Sequence, residues 1–479
     1  MNPSHQQPSL KRSLGLLEAT MIGVGAMIGA GIFGLTGIAA GKAGPVGLLI
    51  AFFLNGIVTS LTGLTYAELG AAMPEAGGGY LWVREGLSRF WGFFAGWISW
   101  FSHSVACSLY AVLFATFFVE LMELAGLHLS TEPGWLGLSQ EQWVIKGLVI
   151  LVVALFLFIN YRGASETGLV GNIVTITKVA ILLTIVAFGL KAMLNAPSAM
   201  VWENFQPPLA HGWMGVFAAM GLTFVAFEGY EIIAQTGEEL HEPEKNLPRS
   251  IFLSIAIVVA IYLLVAFVAV GVPVQDIIGM KPWQYLAQHG ERGMVRIAQF
   301  IMPYGHVLML IGGLASTTSA LNATVYSSSR VSFAMGRGGD LPEIFSRVHP
   351  KTRTPHWAIL ISGVLIAFMG VALPVADVAS GASLTFLALF LLTNLTLIRL
   401  RKTHPELPRP FKVPFVPYLP IATVIIQGFL AGHLFETSPL AWYATIAWVL
   451  LGIAFYKYWV RGHQKDVHLI PTGGESHGE

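Results

Sequence analysis

The residue of this sequence most able to do chemistry in an unusual setting is a lysine inside an apolar run. Lys178 lies about ten residues from either end of the segment 168–188, so at ~1.5 Å per residue it sits roughly 15 Å deep in a helix, beyond comfortable snorkelling. An amine at that depth can carry a proton by switching between ammonium and amine, and as ammonium it can replace a bound sodium ion as a fixed positive charge. The alternative is a permanently paired structural lysine. Two carboxylates raise the same question. Glu228 and Glu231, three residues apart, would share one face of an intact helix, and a charge at mid-membrane costs at least ~3 kcal/mol on insertion scales. Either a partner or a proton neutralises them structurally, or one reads a cationic group or carries a proton while the other supports unwound backbone.

Thr317, Thr318 and Ser319 offer hydroxyls that could meet the Lys178 ammonium, although such hydroxyls commonly bond their own backbone or a neighbouring helix. His103 and His306 fit helix contacts better than catalysis. Gly23, Gly25, Gly29 and Gly31 can serve close helix packing, Gly25 and Gly29 being a small-xxx-small pair. They can also mark a break in a spanning helix, whose exposed N–H groups at Ile28, Gly29, Ala30 and Gly31 would hold a carboxylate at the positive end of a half-helix. Backbone left open at membrane depth is tolerated only against protein or a water-filled cavity. No metal-type cluster, hydrolase elbow or potassium-type filter sequence accompanies these residues.

Elements that could place such groups follow from composition. The 479 residues are 54% hydrophobic and 11% charged, against about 25% charged in a soluble domain, which assigns the chain to a membrane. A net charge of +1 gives nucleic-acid binding no electrostatic support. The single cysteine, Cys107, cannot form an internal disulfide. Lys11 and Arg12 precede an apolar run that continues past any signal-peptide core, which reads as an uncleaved first span.

At about 20 residues per crossing, twelve apolar segments are expected: 14–40, 45–72, 88–123, 143–161, 168–191, 211–240, 250–272, 295–330, 356–373, 381–399, 417–435 and 439–459. With the N-terminus placed in the cytoplasm, 20 of the 27 Lys and Arg fall inside. Six (Lys42, Lys146, Lys191, Lys281, Arg292 and Arg296) fall outside, and Lys178 lies within a span. That asymmetry supports twelve spans with both termini cytoplasmic. Loops 124–142, 192–210 and 273–294 then face outward, where their Pro and Trp content suggests ordered caps or short interfacial helices. The first span, broken near Gly29 and Gly31, and the sixth, with Glu228 and Gly229 at similar depth, occupy corresponding positions of two five-helix halves. Such a pair points to a transporter site made by inverted repeats.

Three stretches resemble a known family, the amino acid/polyamine/organocation permeases. Ile28-Gly-Ala-Gly-Ile-Phe33 is similar to the family's first-helix break. Phe224-Val-Ala-Phe-Glu-Gly-Tyr-Glu231, continuing through Thr236-Gly-Glu-Glu239 to Pro243-Glu-Lys-Asn-Leu-Pro-Arg249, resembles its sixth helix and following loop. Ser329-Arg-Val-Ser-Phe-Ala-Met-Gly-Arg337, with Asp340-Leu-Pro342 and His349-Pro-Lys-Thr-Arg-Thr-Pro355, resembles the loop after its eighth helix. The resemblance extends over residues 12–460.

It implies an all-α integral membrane protein of the leucine-transporter type. The parts would be a tail at 1–12, a core at 13–402 with repeats at 13–192 and 211–402, two further helices at 403–460 and a tail at 461–479. It implies that N–H groups near Ala30 and Gly31 bind a substrate carboxylate, that the carbonyls of Met27, Val225 and Glu228 bind its amino group, and that Phe224 or Phe227 stands near a gate. Lys178 matches the fifth-helix lysine of proton-coupled members and Glu231 an often acidic position, whereas Glu228 replaces a commoner apolar residue. The expectation is a proton-coupled amino acid importer, not an enzyme, in a prokaryotic cytoplasmic membrane. An exchanger of amino acids or amines is the alternative, and a non-accumulating sensor or channel-like protein a more distant one. The proton is the only coupling agent implied, with no metal or other cofactor. An amino acid and the lipid bilayer are the partners, with no nucleic acid and no obligate protein partner.

Overall fold

The computed structural model describes residues 14–74, 78–163 and 169–462. The expected terminal tails, 1–12 and nearly all of 461–479, lie outside these. Among the described residues the regular structure is entirely helical, with no β-strand. The first half runs α1 (Leu16–Met27), α2 (Gly31–Ala43), α3 (Pro45–Ala72), α4 (Gly78–Gly86), α5 (Arg89–Leu124), α6 (Gln140–Arg162), α7 (Leu169–Asn195) and α8 (Ser198–Asn204). The chain continues through α9 (Gly212–Thr223), α10 (Tyr230–Gln235), α11 (Pro243–Gly271), α12 (Gln275–Ile278), α13 (Pro282–His289) and α14 (Gly293–Ile301). It ends with α15 (Gly305–Arg337), α16 (His356–Ala372), α17 (Val375–Thr403), α18 (Tyr418–Thr437) and α19 (Pro439–Tyr458).

Among the described residues ten helical segments are long and apolar enough to cross a membrane, and eleven when α1 and α2, bent by 43° across their break, count as one span. The ten include Gly212–Gln235, which joins α9 and α10. α16 is apolar but has 17 residues. The stop and start signals are local. Proline in the first turn opens α3, α11, α13 and α19, where its missing N–H costs nothing. Ser139 and Gln142 close a reciprocal capping box at the start of α6, and Gly163 ends it in the left-handed conformation.

The run 295–330, expected as one segment, is divided. α14 stops at Ile301 and α15 begins at Gly305, because Pro303 supplies no N–H and Tyr304 turns the chain with φ of 59°. The segments before it, expected as ordered caps, contain the short helices α8, α12 and α13. α13 packs on α2, and it can do so because Gly37 presents no side chain there. A Cβ on Gly37 would lie 2.8 Å from the Leu286 carbonyl oxygen. The elbow between α13 and α14 is tied sideways by Arg292 and Arg296. Arg296 Nε is 2.6 Å from Glu120 Oε1, and Arg292 approaches Glu120, Glu123 and Glu141.

Burial separates scaffold from periphery. In the most apolar window of Gly212–Gln235, 83% of residues are buried, whereas for Pro439–Gly462 the share is 11%. The interrupted helices therefore occupy the middle, walled by α3, α5, α11, α15 and α17. α6, α18 and α19 turn Leu151, Phe158, Ile425 and Leu450 outward, to where lipid chains would lie.

Candidate functional site

Two breaks face each other at the centre. The first begins at Ile28 (φ −74°, ψ 64°), whose N–H still reaches Val24 O at 2.9 Å. Gly29 N–H then donates to Met27 O at 2.7 Å, a tight turn that ends α1. α2 restarts at Gly31, so the N–H groups of Gly31, Ile32 and Phe33 stand in its first turn without an intrahelical acceptor. The second break follows a 3-10 turn at Phe224–Phe227. Glu228 is extended, and Gly229 has φ of 131°, a conformation that favours glycine. Glycine is required there twice over, since a Cβ would lie 2.7 Å from the Met27 backbone nitrogen.

Neighbouring side chains hold the open backbone. Tyr262 of α11 donates its hydroxyl to Met27 O at 2.7 Å and Ala226 O at 3.0 Å, one group bridging both breaks. Ser316 of α15 donates to Ile28 O at 2.7 Å, and Ser383 of α17 accepts from Val225 N–H at 3.0 Å. None of these three carries a motif. The available signals were a lone tyrosine in the apolar run of α11, and serines beside the flagged hydroxyls of α15 and within the small-residue stretch of α17.

Lys178 of α7 is wholly buried, with its Nζ 2.5 Å from Gly25 O and 2.9 Å from Ser319 Oγ. The lysine amine thus joins α7 to the half-helix α1 and to α15, in the last turn before the break. Of the flagged hydroxyls, Ser319 is at the ammonium. Thr317 Oγ1 turns to Gly313 O and Leu314 O of its own helix, each at 2.9 Å, and Thr318 is half-buried on the same helix.

The two glutamates of the sixth segment differ. Glu231 Oε2 accepts from Gly229 N–H at 2.6 Å, and its Oε1 lies 3.8 Å from His103 Nε2. His103 Nδ1 is 2.8 Å from Ser99 O, so Nδ1 carries a proton that it donates to that carbonyl and Nε2 is the ring nitrogen that faces Glu231. Glu228, 3% exposed, has no hydrogen-bond partner on either carboxylate oxygen. Glu228, Glu231 and His103 line a cavity of about 10 Å³, room for one water, together with Tyr110, Phe386 and small residues. A larger cavity of about 160 Å³ is lined by Gly25, Asn172, Thr236, Glu239, Ser319 and Tyr326 among others, and the two share Ala26, Ile232 and Ala323. Met27, Ile28, Gly29, Ala30, Gly31, Phe224, Val225 and Phe227 are buried behind these walls, with Phe227 packed edge-on against Phe52 and Tyr262. His306 lies at the start of α15, away from both cavities.

Broken apolar helices, a buried lysine and a cavity lined by two buried glutamates in the middle of a helical bundle are the parts of a membrane permease. Comparison with known proteins narrows the class. A family model described as amino acid permease matches residues 14–455, and the chain belongs to that family. It is 31% identical over 465 residues to the branched-chain amino acid permease of Bacillus subtilis, covering 96% of this chain and 95% of that one. It is 28% identical over 470 residues to the methylthioribose transporter of the same organism, covering 97% and 96%. To its serine/threonine exchanger it is 30% identical over 454 residues, covering 93% and 96%. The protein is accordingly a multi-pass membrane protein of an amino acid transporter family.

Proposed function

We propose that this permease is a secondary active transporter that imports amino acids by proton symport through alternating access. It would sit in a prokaryotic plasma membrane with both termini cytoplasmic. The carrying observation is Lys178, a buried amine bonded to Gly25 O on the half-helix that leads into the first break. A proton gained or lost there changes what holds α1 against α7 and α15, which gives protonation a mechanical consequence.

In this reading α16 completes a set of twelve spans, with two inverted five-helix repeats and two peripheral helices. The first-turn N–H groups at Gly31, Ile32 and Phe33 receive the substrate carboxylate. The backbone carbonyls at Met27, Val225 and Glu228 receive its amino group, and the Phe227 ring moves with the gate. The about 160 Å³ cavity, reached past Leu14, Glu239 and Tyr326, is the vestibule on the cytoplasmic side. On the opposite side α13 and α14 cover α2, and the Arg292 and Arg296 network holds that cover, so the state is inward-facing.

A second reading, obligate exchange, is favoured by the likeness to a serine/threonine exchanger. Proteoliposome uptake of labelled amino acids decides between them. Symport predicts uptake into empty vesicles that rises with an inward proton gradient. Exchange predicts uptake only into vesicles preloaded with unlabelled substrate, and non-saturable flux indifferent to either condition contradicts both.

A further inference from the structure

Among the described residues four glutamates are buried, and Glu68 and Glu228, the two least exposed, form a contrast. Glu68, with no exposed surface, is saturated: Arg401 donates to both its oxygens at 2.8 and 2.5 Å, Val413 N–H adds 2.6 Å, and Arg409 Nε stands 3.3 Å away. That is a structural carboxylate. Glu228 is nearly as deeply buried and has nothing on either oxygen. An unpaired buried acidic group costs several kcal/mol, so its pocket is complete only with a proton or a cation.

The remaining wall favours a cation with hydrogens to donate. His103 Nε2 makes no hydrogen bond and lies 3.8 Å from Glu231 Oε1, on a ring whose Nδ1 is engaged by Ser99 O; with the single ring proton on Nδ1 it is an acceptor. Glu231 Oε1 faces the same space, so acceptors from α5, from the break and from α10 converge on one cavity. Among the described residues no lysine or arginine lines it. Its volume of about 10 Å³ suits one group the size of water, which an ammonium head is. Ala26, Ile232 and Ala323 also line the larger cavity, so the two cavities adjoin at these small and apolar residues.

We propose that Glu228, Glu231 and His103 form a subsite for a primary ammonium carried on the side chain of the transported amino acid, making the preferred substrate a cationic one such as lysine or ornithine. This rests on the reading of the protein as an amino acid transporter. The neighbouring Tyr110 and Phe386 flank the ammonium, and Thr324 closes the small-residue wall.

Binding to the purified full chain in detergent, probed with L-lysine, L-ornithine, L-leucine and L-threonine, tests it. Wild type is expected to bind lysine or ornithine saturably and at least about tenfold more tightly than leucine or threonine, the worth of a charge-assisted hydrogen bond. Glu228→Gln should weaken lysine by about tenfold or more, and Glu228→Asp should recover part of that loss. Leucine or threonine binding as tightly as lysine, with Glu228→Gln indifferent, would overturn the subsite and leave the amino acid reading standing. Saturable binding of none of the four by folded wild type would overturn both. If Glu228→Gln does not fold, the wild-type preference for lysine over leucine still decides.

Discussion

Lys178 and Gly25 are joined by a 2.5 Å contact from the ammonium nitrogen to the carbonyl oxygen, across 153 residues of chain and in the buried interior of the bundle. A helix carbonyl two residues before the end of α1 has thereby acquired a lysine amine as partner. Ser319 Oγ, 2.9 Å from the same nitrogen, is another acceptor. Ser319→Ala removes a hydrogen bond to a charged group, worth about 1.5–3 kcal/mol. Thermal unfolding in detergent should register the loss, and Ser319→Thr, which keeps a hydroxyl, should restore most of it. Equal melting of the alanine and wild-type proteins would mean that Ser319 contributes nothing to holding the lysine.

Tyr262 concentrates the stability of both breaks in one hydroxyl. In Tyr262→Phe the Met27 carbonyl keeps its Gly29 N–H while the Ala226 carbonyl loses the tyrosine, a cost of about 1–3 kcal/mol. The ring still packs on Phe227, so the variant should fold. Reduced unfolding free energy together with weaker amino acid binding is expected, and stability loss with unchanged binding would make the hydroxyl purely structural.

Gly229→Ala should be the most damaging single methyl at the site. Its φ of 131° and the 2.7 Å approach of a Cβ to the Met27 nitrogen both act against it, and neither backbone can retreat without moving the other break. The strain and overpacking together are of order 2–5 kcal/mol. Saturable binding should be lost even where folded protein is recovered. Wild-type affinity in Gly229→Ala would contradict the close apposition of the two breaks.

The paired and unpaired glutamates predict opposite stabilities. Glu68→Gln leaves Arg401 and Arg409 facing a neutral amide and should cost about 3 kcal/mol. Glu228→Gln breaks no hydrogen bond, because none is made, and should leave the unfolding midpoint of ligand-free protein unchanged or higher. A large loss on Glu228→Gln would show that its carboxylate has a structural partner.

The sequence marks both breaks because their residues contradict their surroundings: glycines at 29 and 31, and a glutamate beside a glycine at 228 and 229, interrupt apolar spans in which nothing else requires them. Lys178 is legible for the same reason. Its acceptors are less so, because three successive hydroxyls were available and only helical phase brings Ser319, rather than Thr317, to the ammonium. Tyr262 and His103 are illegible in principle. The tyrosine reaches Met27 across 235 residues, and the histidine meets Glu231 only because α5 packs beside the centre, so no local pattern encodes either contact. The division at 302–304 was available in Pro303 but was masked by the apolar residues on both sides.

Gradient-driven accumulation by the Lys178→Ala variant tests the central claim most directly. Wild-type and variant protein, reconstituted at equal density, are given a labelled amino acid and an inward proton gradient, with binding in detergent confirming that the variant is folded. Proton coupling through Lys178 predicts that wild type concentrates the substrate above its external level while the variant only equilibrates it. Accumulation by Lys178→Ala equal to wild type, collapsing when the gradient is dissipated, would contradict the assignment and place the coupling proton elsewhere.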